Sequence, residues 1–303
     1  MAVIAARDVC RGPGSLPVSE VPRGRFRPAA RSMCFVIAAL LGLSACSGPA
    51  APDPNAIRGT FDVGGRSLYV ECSGTGSLTV VMDSGLGDTH ATWKAVVPAL
   101  GAVRVCTYDR ANLGASDPAP KPRSSADVAA DLHALLKAAA IAPPYILVGH
   151  SFGGITVRLF ASTYPAEVAG IVLVDPTPTG FVDGECAIVD PSLCAVLRAG
   201  WEPSKNPDAL DIVKSAEEVA RAGPLPTVPL IVLAATVHRQ DAIKNADIEK
   251  QIESFWQQEE ADLAASVPGG TVDVVSSGHS IQTLHPEAVI AAIKTVIAEV
   301  STQ

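Results

Sequence analysis

The chain has 303 residues, 48% of them apolar, enough for one large domain or two small ones around a sizeable core. That apolar share excludes a chain disordered throughout. The net charge is −8, and no basic stripe interleaved with aromatics occurs after residue 31, which excludes nucleic acid as a partner.

In chain order the first element is an export signal. Arg23, Arg25, Arg27 and Arg31 precede an apolar run over residues 34–43, the basic and hydrophobic regions of a signal peptide. Ten apolar residues fall short of the roughly 20 needed to span a hydrocarbon core of about 30 Å, so a transmembrane helix is not expected. The run ends in Leu43-Ser44-Ala45-Cys46, which resembles the bacterial lipobox. That resemblance implies cleavage before Cys46 and lipid on its thiol; an ordinary signal peptide cut after small residues is the alternative. Residues 1–45 are then signal, 46–58 form a tether containing the small, Pro-rich stretch SGPAAPDP, and 59–303 form the folded domain.

Removing residues 1–45 takes away six of the 23 basic and two of the 31 acidic residues, leaving 17 against 29 and a charge of −12. Anionic headgroups repel such a surface, so residence at the outer face of the membrane in the cell envelope would rest on the lipid alone. Besides Cys46 the mature chain holds Cys72, Cys106, Cys186 and Cys194. Four cysteines allow three pairings, with free buried thiols as the alternative. An exported chain favours bridges, and the closeness of Cys186 and Cys194 in a loop-like stretch favours pairing them, which leaves Cys72 with Cys106.

Residues 59–63 and 66–72 flank a Gly64-Gly65 turn and read as an antiparallel hairpin. Residues 78–82 (LTVVM) and 103–108 (VRVCTY) read as buried strands, and residues 125–139 as a helix capped by Ser124 or Ser125. A strand over 144–148 (PYILV) leads into a helix over 152–164. Strands at 170–174, 228–234 and 271–275 follow, with a last helix over 286–300. This alternation predicts an α/β class domain with a mostly parallel, doubly wound sheet of about eight strands. The stretch of about 177–226 carries no strand signal and reads as a small cap inserted over the sheet end where active sites form.

Gly149-His150-Ser151-Phe152-Gly153 matches G-x-S-x-G directly between a strand and a helix, the context of a nucleophile elbow. A turn this tight strains the serine backbone and needs glycines where side chains would collide. Serine is a weak nucleophile at neutral pH and needs a base within hydrogen-bond reach. Of the six histidines, His279 follows a late strand in the order Ser, acid, His, in Ser276-Ser277-Gly278-His279. His285 is assigned to the start of the final helix, His133 to a helix surface or core, and His150 to shaping the elbow. Two aspartates stand at permitted strand ends for the acid. Asp175 directly follows GIVLV and is favoured for its local geometry; Asp241, six residues beyond Ala235, has the commoner place in chain order and is the alternative. The backbone N–H groups of Phe152 and of Leu86, in Ser84-Gly85-Leu86-Gly87, are the candidate oxyanion donors.

With these motifs the sequence resembles the α/β-hydrolase superfamily over about residues 59–300. Tyr108-Asp109-Arg110-Ala111-Asn112-Leu113-Gly114-Ala115-Ser116 resembles the family's Y-D-x-x-G-x-G-x-S stretch, and the placing of Cys72 and Cys106 is similar to that in a group of exported bacterial hydrolases. Where many relatives carry His-Gly at the oxyanion loop this chain has Ser84-Gly85. The resemblance implies that the strands bearing Cys72 and Cys106 are neighbours. It also implies a serine hydrolase of a small ester or related acyl compound, without metal or organic cofactor. Haloalkane dehalogenases and epoxide hydrolases of this fold have aspartate where Ser151 stands. An aminopeptidase would need an acidic cap group, and Asp183, Glu185 and Asp208 form no recognisable pattern. The alternative outside enzymes is a binding protein that kept the fold and lost activity.

Overall fold

The computed structural model of the protein describes residues 56–101, 103–238 and 243–302. The lipobox, Cys46, most of the expected tether and the alternative acid Asp241 lie outside the described residues.

The strands are β1 (Ile57–Asp62), β2 (Ser67–Ser73), β3 (Thr75–Asp83), β4 (Val103–Tyr108), β5 (Tyr145–His150), β6 (Val168–Val174), β7 (Leu230–Val237) and β8 (Thr271–Gly278). They form one sheet in the order β1-β2-β4-β3-β5-β6-β7-β8. The β1–β2 and β2–β4 pairings are antiparallel and the other five parallel. Every residue of β5 is buried, because a parallel strand covered on both faces must be apolar throughout, whereas β1 at one edge alternates.

The helices are α1 (Ser125–Ala138), α2 (Phe152–Thr163), α3 (Phe181–Ile188), α4 (Pro191–Gly200), α5 (Ile212–Arg221), α6 (Ala246–Ala265), α7 (Ile281–Leu284) and α8 (Pro286–Ser301). Leu132, Leu135 and Phe160 from α1 and α2 fill the core on one face of the sheet. Val289, Ile293 and Val296 from α8, with Trp93, fill the other. Among the described residues no helix is long and apolar enough to cross a membrane.

The segment between β6 and β7 contains α3 to α5 and no strand. Asp190 caps α4 by accepting the N–H groups of Ser192 and Leu193, and Cys186–Cys194 ties α3 to α4. Cys72 and Cys106 are paired neighbours in the β2–β4 register and form the second bridge, with Cα atoms 4.1 Å apart.

One long element departs from the reading of the sequence. The 20 residues of α6 follow Asn245, whose side chain accepts the N–H groups of Asp247 and Ile248. Its buried residues are Ile252, Trp256, Glu260 and Ala264, a stripe one residue wide, so a predominantly polar sequence forms a docked helix without a broad apolar face.

Candidate active site

The site is assembled where β5, β6 and β8 end. Ser151 follows β5 with φ of 52°, and its N–H donates to the Val174 carbonyl. Glycine is required on both sides of it. A Cβ at Gly153 would lie 2.5 Å from the Asp83 carbonyl oxygen, and one at Gly149 would lie 2.6 Å from that of Gly153.

Ser151 Oγ is 2.8 Å from Nε2 of His279, and His279 Nδ1 is 2.5 Å from Oδ2 of Asp175. An acceptor at Nδ1 places a proton there and leaves Nε2 free to accept from the serine hydroxyl. Asp175 directly follows β6 with φ of 46° and is completely buried; its Oδ1 accepts the Ala235 N–H at 2.6 Å. Burial disfavours its charge, but the hydrogen bonds from His238 and His279 outweigh it and hold the carboxyl well below the usual carboxylate range. The structure therefore brings Ser151, His279 and Asp175 into one hydrogen-bonded chain.

His150 ends β5 directly before Ser151 and also reaches the loop of the base. Its Nε2–H donates to the His279 carbonyl at 3.1 Å, so Nδ1 accepts, and Gln282 Nε2 donates to it at 3.0 Å. Burial, then the neighbouring His279, pushes its pKa down to about 3, so it stays neutral and tethers the backbone of the base. His285 stands at the start of α8, and the half-buried His133 sits on α1 against Glu167, both as read from the sequence.

The loop bearing Leu86 is fixed from outside. Arg110, just after β4, donates to the Ser84 carbonyl at 2.6 Å and the Gly85 carbonyl at 2.5 Å, while Asp208 accepts the Gly87 N–H at 2.8 Å. Among the described residues no hydrogen bond takes the Leu86 N–H. Phe152 opens α2, where the first N–H groups have no helical acceptor. Both N–H groups are thus available beside a cavity of about 150 Å³, lined by Leu86, Ser151, Phe152, Phe181, Trp201 and Trp256.

Four residues around this site had no assignment from the sequence: His238, Glu253, Arg110 and Asp208. Two of them carried a signal: His238 directly follows a late strand, and Arg110 stands in the stretch that resembles Y-D-x-x-G-x-G-x-S.

With this fold and site, the chain belongs to the α/β-hydrolase fold family, whose model matches residues 79–263. It is 27% identical over 246 residues to an uncharacterised protein, YqjL, of Bacillus subtilis (strain 168), covering 78% of this chain and 90% of that one. Two other curated relatives are longer, and the matches cover 21% and 14% of their length. Among solved structures, the enol-lactonase from Burkholderia xenovorans LB400 superposes with a TM-score of 0.58 at 18% identity, over 80% of this chain and all of the other (100%). Carboxylesterase CesB from Bacillus subtilis gives 0.54 at 16% identity, over 80% and 91%. At these identities the superpositions establish the fold. The family match supports hydrolytic chemistry.

Proposed function

We propose that the protein is a serine hydrolase of esters or related acyl compounds and works through an acyl-enzyme on Ser151. The observation that carries this reading is the continuous chain from Ser151 Oγ through His279 to Asp175, at 2.8 and 2.5 Å. His279 Nε2 takes the hydroxyl proton as Oγ attacks the substrate carbonyl, and Asp175 stabilises the imidazolium that forms. The Leu86 and Phe152 N–H groups face the developing oxyanion. Collapse of the tetrahedral intermediate breaks the bond to the leaving alcohol, which takes the proton from His279. Water, deprotonated by the same imidazole, then attacks the acyl-enzyme and releases the acid and free Ser151.

The cavity beside Ser151 bounds the substrate. With about 150 Å³ beside Ser151, short acyl groups are expected to fit best without movement of the segment between β6 and β7. The test combines a fluorophosphonate probe with p-nitrophenyl esters of graded chain length. Wild type should be labelled and turn over the short esters fastest, and Ser151→Ala should do neither. An unlabelled wild type would favour the binding-protein alternative.

The lipobox-like Leu43-Ser44-Ala45-Cys46 further supports export and lipid attachment at Cys46. A single acyl chain anchors only marginally, so the several chains of a lipoprotein would be needed with a mature charge of −12. Fractionation of cells making wild type or Cys46→Ala tests this: wild-type esterase should pellet with membranes and the variant should not.

A further inference from the structure

Asp175 serves two histidines. Besides His279, the same Oδ2 lies 2.8 Å from Nε2 of His238, a residue buried just after β7. His238 Nδ1 lies 2.7 Å from Oε2 of Glu253 on α6, and the other oxygen of that carboxylate accepts the His238 backbone N–H. The His238 ring stacks on Trp256, centroids 4.4 Å apart, and Trp256 in turn meets the His279 ring edge-on at 5.7 Å. Backbone, ring plane and both ring nitrogens of His238 are therefore all fixed.

Resting on the hydrolase reading above, we propose that His238 is a positioning residue: clamped by Glu253 and Trp256, it donates to the Asp175 oxygen that faces His279 and so fixes the carboxylate that orients the base. The donor count supports this. Ionised carboxylates only accept, so an imidazole with a carboxylate at each nitrogen carries both protons and is a cation. Three donors then converge on Asp175: the N–H groups of His279 and His238 on Oδ2 and of Ala235 on Oδ1. Without His238, a fully buried anion would lose one of these three hydrogen bonds and the cation that balances it.

The groups facing this cluster act in a consistent direction. Asp175 from β6 and Glu253 from α6 overcome the burial of His238 and raise it to about 9. Glu260, also on α6, is buried beside Asp175 and interacts with its carboxylate. Burial, then the charge of Asp175 and the hydrogen bond to it, raise Glu260 to about 10 and favour its neutral form. His279 closes the cluster on the substrate side, its ring centroid 6.0 Å from that of His238.

The test uses the purified protein with an ester substrate and with NMR of its histidines. In wild type, kcat is expected to fall along an alkaline limb near pH 9 as His238 loses its proton. Glu253→Gln should move that limb to lower pH, and His238→Gln should abolish it. His238→Ala should lower kcat on the order of tenfold to a hundredfold with little change in KM, less than the roughly 10⁴-fold expected for loss of the acid itself. A purely structural residue would change stability without moving a pH limb. NMR supplies a readout independent of turnover: His238 should keep both ring protons to about pH 9, and Asp175→Asn should lower that midpoint. Titration of His238 near its ordinary 6.5, or an unchanged profile in both His238 variants, overturns the proposal. A wild type that neither turns over esters nor takes the probe overturns the hydrolase reading, and the NMR measurement still decides whether His238 holds Asp175.

Discussion

The guanidinium of Arg110 and the carboxylate of Asp208 form a buried ion pair, Nη2 to Oδ2 at 2.6 Å, that joins the end of β4 to the segment between β6 and β7. Arg110 also holds Asp83 and the Ser84 and Gly85 carbonyls, while Asp208 holds the Gly87 N–H. The loop that presents the Leu86 N–H is therefore set by a residue more than a hundred positions further along the chain. Asp208→Ala should lower kcat by about tenfold or more with a smaller change in KM, because an oxyanion donor acts in the transition state. Breaking a buried pair typically loses about 3–5 kcal/mol, and Asp83 remains as a partner, so the low end of that range applies. Kinetics and thermal unfolding of the variant check both effects.

Asp175→Asn should reduce turnover by roughly 10⁴-fold while the sheet stays folded, because an amide at Oδ2 no longer selects the tautomer of His279 that leaves Nε2 free. Asp241→Asn should change turnover by no more than a few-fold. Steady-state kinetics of the two variants, with circular dichroism to verify folding, separates them; equal losses would contradict the assignment of the acid.

Stability should fall as the pH rises from about 6.5 to about 9. His238 binds its proton to about 9 in the folded state against 6.5 when unfolded, and Glu260 to about 10 against 4.5. Across that window the folded protein holds more protons than the unfolded chain, so the slope of unfolding free energy with pH is negative. The contribution of His238 is complete below 6.5 and lost through about 9. Melting temperatures at pH 6 and pH 9 measure the slope, which His238→Gln should flatten.

Gly153→Ala should abolish turnover and labelling together, since its Cβ would stand 2.5 Å from a backbone carbonyl at the end of β3 and push α2 away from the oxyanion loop. Turnover within a few-fold of wild type would show that the elbow tolerates displacement.

Each bridge should stabilise according to the loop it closes. Cys72–Cys106 spans 34 residues and Cys186–Cys194 spans 8, for which the chain-entropy model gives roughly 4 and roughly 2.5 kcal/mol. Cys72→Ser with Cys106→Ser should therefore lower the melting temperature more than Cys186→Ser with Cys194→Ser, as calorimetry of the two double variants would register.

Much of the sheet and the three residues Ser151, His279 and Asp175 were legible because their local patterns carry physical meaning. An apolar run into Gly-His-Ser-Phe-Gly and a helical pattern admits few other structures, and Asp175 stands where its strand must stop at Pro176. His238 and Glu253 were not legible, because their meeting depends on β7 lying beside β6 and on the face that α6 turns inward. That helix was itself obscured: Ile252, Trp256, Glu260 and Ala264 recur every fourth residue, one of them is acidic, and the residues between them give no broad apolar stripe. Arg110 lay within a recognised stretch, but nothing local indicated that its partner would be Asp208.

Ser151 and Asp175 directly follow His150 and Val174, which are register partners on adjacent strands deep in the sheet, whereas His279 follows the edge strand β8, most of whose residues are exposed or half-buried. Edge strands open at lower free energy than interior ones. The two halves of the site should thus differ in local stability. Amides of β5 and β6 should exchange with solvent only through global unfolding, while opening of β8 withdraws the base and leaves nucleophile and acid in register. In mild denaturant the protein should pass through an inactive form that still holds most of its sheet and regains turnover on dilution without refolding.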